Sequence, residues 1–135
     1  MEMHSKSKET YPLTATLLVV EDDVAAGRSL SKALEQSGYR VVRAASGTAA
    51  GTRIRSATPD LVIVSLNVPD ADAFELAASL ERVNGSRTIV CSARHTRLDR
   101  QLARRVDAAA WLARPFDMDD VESHIETRLR QAAVA

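Results

Sequence analysis

At 135 residues the chain suits one domain with room for a real hydrophobic core. Its Lys+Arg and Asp+Glu totals are both 18, so composition offers neither the net basic field of a nucleic-acid binder nor the acidity of a disordered tail. The single Cys91 excludes an internal disulfide and leaves no metal-site spacing. It lies in an apolar run and reads as a small buried thiol, which suits a reducing cytoplasm. No apolar run approaches membrane-spanning length and the polar start lacks a signal-peptide core, so a cytoplasmic domain with no membrane contact is expected.

Residues 1–15 are polar and aperiodic, contain Pro12, and are expected to form a flexible tail, with His4 solvated. Thr16-Leu17-Leu18-Val19-Val20 reads as a buried strand running into Glu21-Asp22-Asp23. Asp23 is placed to cap a helix with a Leu30, Ala33, Leu34 stripe, and Gly38 supplies its stop. A second strand is centred on Val41-Val42, and Ser46 looks like the N-cap of a helix through about Ala57, weakened by Gly51. Leu61-Val62-Ile63-Val64, bounded by Pro59 and Pro69, is too short for a stable helix and rich in β-branched residues; it reads as a strand buried on both faces that ends on Ser65.

A helix from about Ala73 to Val83 turns Phe74, Leu76, Ala77 and Leu80 inward, and Thr88 to Ser92 forms the fourth strand. Leu98, Leu102 and Val106 mark a fourth helix, and Ala109-Ala110-Trp111-Leu112 a fifth strand. Asp117 caps a last helix with a Met118, Val121, Ile125, Leu129 stripe. Residues 16–131 are expected to form the domain and 132–135 a short tail. Five alternations of strand and helix predict an α/β fold, a doubly wound, flavodoxin-like parallel sheet of five strands in the order 2-1-3-4-5. In that order strands one and three are neighbours at the switch point, where such sheets bind ligands, and their carboxyl ends hold Glu21-Asp22 and Ser65.

Leu17 to Asp23, Pro59 to Phe74, Cys91-Ser92-Ala93-Arg94 and Trp111-Leu112-Ala113-Arg114-Pro115-Phe116 together resemble the receiver domain of bacterial response regulators, the CheY-like superfamily. The resemblance covers about Thr16 to Arg130. It implies two-component phosphorelay signalling and no enzyme active site of its own. In the family an acid pair after strand one and an aspartate ending strand three hold Mg²⁺, and that aspartate takes a phosphoryl group from a histidine kinase. A Ser or Thr ending strand four and a Lys before a cis proline contact the phosphoryl oxygens, and an aromatic residue on strand five acts as a switch.

Carried onto this chain, the resemblance assigns the acid pair to Glu21 and Asp22, the switch positions to Ser92 and Trp111, and the proline to Pro115. Ser65 stands at the phosphoacceptor position and Arg114 at the lysine position; Ala73 replaces the usual glycine before Phe74. A serine hydroxyl is nearly fully protonated at neutral pH and needs a general base, and no histidine is expected near Ser65, since His4, His95 and His124 fall in the tail, a loop and the last helix. Mg²⁺ favours carboxylate oxygens, so exchanging one for a hydroxyl should leave its binding weak or absent, with Asn67 offering at best a backbone carbonyl. These substitutions imply a degenerate pseudo-receiver with no resident cofactor. Arg114 is either a solvated charge or, with Ser65 neutral, a bridge to Glu21 or Asp22 that neutralises the pocket; the bridge is the expectation. Asp70 and Asp72 are offset from the strand end and read as turn residues, and Asp60 lies at the opposite end of the sheet.

The expected role is a phosphorylation-independent interaction or dimerisation module whose partner is a protein, a kinase or an output regulator. Arg97, Arg100, Arg104 and Arg105 could meet Asp119, Asp120 and Glu122 of a second copy through the fourth helix, fifth strand and last helix, although both sets are also ordinary solvated faces. Alternatives are a small-molecule sensor using the acidic pocket and a receiver phosphorylated at a non-standard residue. A flavodoxin-like enzyme is disfavoured because no Gly-rich phosphate loop follows strand one. A serine hydrolase is disfavoured because Ser65 lacks a glycine-flanked elbow and a histidine.

Overall fold

A computed structural model describes residues 15–66, 68–85, 87–91, 111–112 and 117–134. Short β-branched runs form the sheet: β1 (Thr16–Val20), β2 (Arg40–Ala44), β3 (Leu61–Ser65) and β4 (Arg87–Cys91). These four strands are parallel in the order β2-β1-β3-β4, and the two-residue β5 (Trp111–Leu112) pairs with β4 beyond them. All five residues of β3 are buried, as a central strand covered on both sides requires. At the amino end of the sheet, the Thr16 N–H donates to Asp60 Oδ2 and the Asp60 N–H to the Thr16 carbonyl, both at 2.8 Å, which fixes the β1–β3 register.

Side-chain alternation sorts the strands onto two cores. Leu18, Val20, Val62, Val64 and Val90 face α2 (Gly47–Ala57) and α3 (Ala73–Asn84), whose Ile54, Phe74, Ala77 and Leu80 complete that layer. Leu17, Val19, Leu61, Ile63, Ile89 and Cys91 face α1 (Val24–Gln36) and α4 (Met118–Val134), which contribute Leu34, Val121, Ile125 and Leu129. Each such aliphatic side chain contributes about 1.5–3 kcal/mol by leaving water, so the doubly wound α/β arrangement follows from the pattern of apolar residues.

The helix boundaries have local causes. Asp23 caps α1 by accepting from the Ala26 N–H at 3.1 Å, and Ser46 caps α2 through the Ala49 N–H at 3.1 Å. Asp117 accepts from the Asp120 N–H at 2.8 Å at the start of α4. Asp72, read from sequence as a turn residue, is the N-cap of α3, accepting from the Phe74 and Glu75 N–H groups. Helix α4 continues to Val134, beyond the expected domain end at residue 131.

Helix α2 ends on Thr58 at φ 43 and ψ 60, a left-handed conformation that crowds a β-branched side chain. The conformation is held by the Thr58 N–H on the Ile54 carbonyl at 3.2 Å. Thr58→Gly is therefore expected to raise stability by about 1 kcal/mol, read as a higher urea midpoint with an unchanged m-value. An unchanged or lower midpoint would show that the strain is relieved elsewhere.

Candidate functional site

The site is built where β1 and β3 end side by side. Val20 pairs with Val64 and with Ala44, and the ladder continues one step further because the Glu21 N–H donates to the Ala44 carbonyl at 3.0 Å. Ser65 pairs with Cys91, and the Leu66 N–H donates to the Cys91 carbonyl at 2.9 Å. Strand alternation puts Glu21, Ser65 and Cys91 on the face that carries α1 and α4. The strand ends at this edge thus place a carboxylate, a hydroxyl and a thiol in neighbouring positions.

Burial divides these groups. Ser65 is 2% exposed and Glu21 8%, whereas Asp22 is exposed. Glu21 Oε2 accepts the Asp23 N–H at 3.1 Å. Its Cβ and Cγ lie 3.6 Å from where a side chain at Gly27 would begin, so the glycine on the buried face of α1 leaves space for it. The two members of the acid pair therefore differ: one is packed beneath α1 and the other stands in solvent.

The loop after Ser65 is anchored by a contact that the sequence did not suggest. Asp70 Oδ1 accepts from the Gly47 N–H at 2.7 Å, and Oδ2 accepts from the Thr48 N–H at 3.1 Å and the Thr48 hydroxyl at 3.0 Å. A carboxylate at the first turn of α2 satisfies otherwise orphaned N–H groups and meets the positive end of the helix. Asp70 is thus more than a turn residue, and both of its oxygens are occupied. The Gly47 N–H, then the Thr48 N–H, hold its carboxyl below the ordinary value of 3.8. A carboxyl depressed in the folded state stabilises above its unfolded pKa, and that contribution is lost as pH falls through the lower folded value. The difference in urea midpoint between the wild type and Asp70→Ala is accordingly expected to be present near pH ~6 and to vanish toward pH ~2. A gap that persists in acid would assign the effect to packing.

Several expected site residues, Asn67, Ser92, Arg97, Arg100, Arg104, Arg105, Arg114 and Pro115, lie outside the described residues, as does the side chain of Trp111. The Trp111 backbone pairs with Val90. Of the acids expected to meet a second copy, Asp119 and Asp120 are exposed, but Glu122 is half-buried and its Oε2 accepts the Ser37 hydroxyl at the end of α1. Glu122 thus serves an internal contact as well.

Among the described residues there is no group of three or more His, Cys, Asp or Glu side chains placed to hold a metal. The donor set at the β1–β3 edge is one exposed carboxylate, one buried carboxylate already accepting a backbone N–H, and a neutral hydroxyl. That set supplies two carboxylates and a hydroxyl, fewer anionic oxygens than three carboxylates would offer a Mg²⁺ ion. Nor is a base supplied to the hydroxyl by the one histidine described: His124, on α4, has its Nδ1 2.9 Å from the Asp120 carbonyl.

The fold and the position of this edge define a doubly wound α/β domain with its candidate site at the carboxyl ends of β1 and β3. Residues 17–126 match the response regulator receiver domain, and the chain belongs to that family. It is 32% identical over 115 residues to the KDP operon transcriptional regulatory protein of Escherichia coli, an alignment covering 85% of this chain and 51% of that protein. It is 24% identical to the sporulation initiation phosphotransferase F of Bacillus subtilis, covering 84% and 92% of the two chains. The signal receiver domain of a modulated diguanylate cyclase from Desulfovibrio desulfuricans superposes with a TM-score of 0.77 at 26% identity, covering 90% of this chain and 98% of that one. The chain spans about half the length of the transcriptional regulators it matches. The family is one of two-component signalling modules, and no helix among the described residues is long and apolar enough to cross a membrane.

Proposed function

We propose that this chain is a degenerate receiver: a cytoplasmic protein-interaction module of two-component signalling whose output does not depend on a phosphoryl group at the end of β3. The observation that supports the reading is Ser65, a buried neutral hydroxyl at the end of β3, where the resemblance puts the phosphoacceptor aspartate. A carboxylate attacks phosphohistidine as an anion and yields a labile acyl phosphate, whereas a serine hydroxyl needs a base to lose its proton. Asp70 offers no ready substitute, because both its oxygens are committed to the start of α2. The partner is a protein, a kinase or an output regulator, engaged through surfaces that need no switch at residue 65; self-association through the fifth strand and last helix belongs to the same reading.

Incubation with acetyl phosphate and Mg²⁺, followed by intact-mass analysis with and without acid treatment, tests this. The expected result is no acid-labile phosphoryl increment. An increment that acid removes would overturn the reading, and an acid-stable one on Ser65 would replace it with phosphoserine signalling.

A further inference from the structure

The chain is neutral overall, but its charge is not evenly spread. Between residues 24 and 58, six basic side chains, Arg28, Lys32, Arg40, Arg43, Arg53 and Arg55, are exposed against one acid, Glu35. They lie on α1, β2 and α2, the elements around the free edge of the sheet. None of Arg28, Arg43 and Arg53 pairs with a carboxylate among the described residues.

Among the described residues, strand β2 pairs with β1 alone. The Arg40 N–H donates to the Ala15 carbonyl, and the Ala44 carbonyl accepts the Glu21 N–H. In a parallel ladder the backbone groups of alternate residues point to the same side, so residues 40, 42 and 44 turn toward β1 while Val41 and Arg43 present N–H and C=O outward. An open groove of about 590 Å³ runs beside this edge, and its lining includes Arg28, Arg43 and Arg53 together with the acids Glu21, Asp23 and Glu35, of which Glu21 is buried.

We propose that the β2 edge takes up an extended acidic segment of a partner protein, which adds to the sheet as a further strand. Backbone pairing with Val41 and Arg43 would supply the attachment. Because side chains of an added strand alternate between faces, its acids would reach Arg28 and Arg43 on the α1 side and Arg53 on the α2 side. The same arginines discourage neutral or basic strands from pairing with an open edge, so charge selects the partner as well as attracting it. A nucleic acid fits less well: it has no peptide backbone to pair with the strand edge, and the groove is lined by no aromatic side chain for bases to stack on. This inference is independent of the chemistry at Ser65.

The test uses the full chain, ¹⁵N-labelled, with a short peptide of Val, Thr and Glu, the same peptide with Gln for Glu, the same with Lys for Glu, and duplex DNA. The Glu peptide is expected to shift the Arg40–Ala44 amides, slow hydrogen exchange at Val41 and Arg43, and bind at least about tenfold more tightly than the Gln or Lys forms. Arg43→Glu with Arg53→Glu, both at exposed positions, should lose about tenfold in affinity while keeping the wild-type circular dichroism. Arg43→Pro, which removes one outward N–H from an edge strand, should weaken binding without reversing charge. Equal binding of the Glu and Gln peptides, unchanged exchange at Val41 and Arg43, or tighter binding of DNA at the same amides would each overturn the proposal.

Discussion

Ser65→Asp is expected to lower the unfolding free energy by about 2–4 kcal/mol at neutral pH, because it places an anion in a position only 2% exposed beside the buried Glu21. The two side chains share one face at adjacent strand ends, so the new carboxylate is both desolvated and repelled by its neighbour. Addition of Mg²⁺ should recover part of that loss in the variant, since a ligand that binds only the folded state stabilises it by mass action, and should leave the wild type unmoved. Thermal unfolding of both proteins with and without Mg²⁺ reads the two effects together. A variant as stable as the wild type in the absence of metal would mean that a cation, or water reaching residue 65, already compensates an anion there. A wild type stabilised by Mg²⁺ would mean that Glu21 and Asp22 suffice as ligands, and the proposed role for the missing carboxylate would fall.

How much of this was legible in the sequence varies with the range of the interaction. Strands β1 and β3 were legible because β-branched runs bounded by proline or acids leave few alternatives, and the caps at Asp23, Ser46 and Asp117 because they act within three residues. The buried place of Ser65 followed from the same apolar run. The second role of Asp70, beyond its place in a turn, was not legible because its partners, Gly47 and Thr48, lie more than twenty residues earlier; a loop carboxylate reaching a helix start leaves no periodic signal. The one local hint was Gly47 at the first turn of α2, where a Cβ would come within 3.1 Å of Asp70 Oδ1. Glu21 and Asp22 look equivalent as letters, yet the turn into α1 buries one and exposes the other. Glu122 was read as surface because its spacing puts it near the polar face of α4, and only the position of Ser37 reveals the second use.

A non-local contact joins both layers of the fold at the amino end of β4, and Glu81→Ala is expected to cost about 2–4 kcal/mol there. Glu81 on α3 accepts the Thr88 N–H at 3.1 Å and the Thr88 hydroxyl, and it pairs with Arg128 Nη2 of α4 at 3.4 Å. Arg128 is 6% exposed; its Nε donates to the Thr88 carbonyl at 3.1 Å and its Nη1 to Gln131 at 2.9 Å. Removing Glu81 takes away the acceptor that two buried Thr88 donors share and one charge-assisted bond from a buried guanidinium, and the cost arises from those desolvated groups rather than from the ion pair itself. The converse change should be milder. Arg128→Met preserves most of the volume and leaves Glu81, about one-third exposed, satisfied by Thr88 and water, but it takes the Nε donor from the buried Thr88 carbonyl, so about 1–2 kcal/mol is expected. Urea unfolding of the two variants separates the accounts: equal losses would place the energy in the Glu81–Arg128 attraction, whereas the predicted asymmetry places it in the satisfaction of the Thr88 N–H and hydroxyl by Glu81, which fastens α3 to β4.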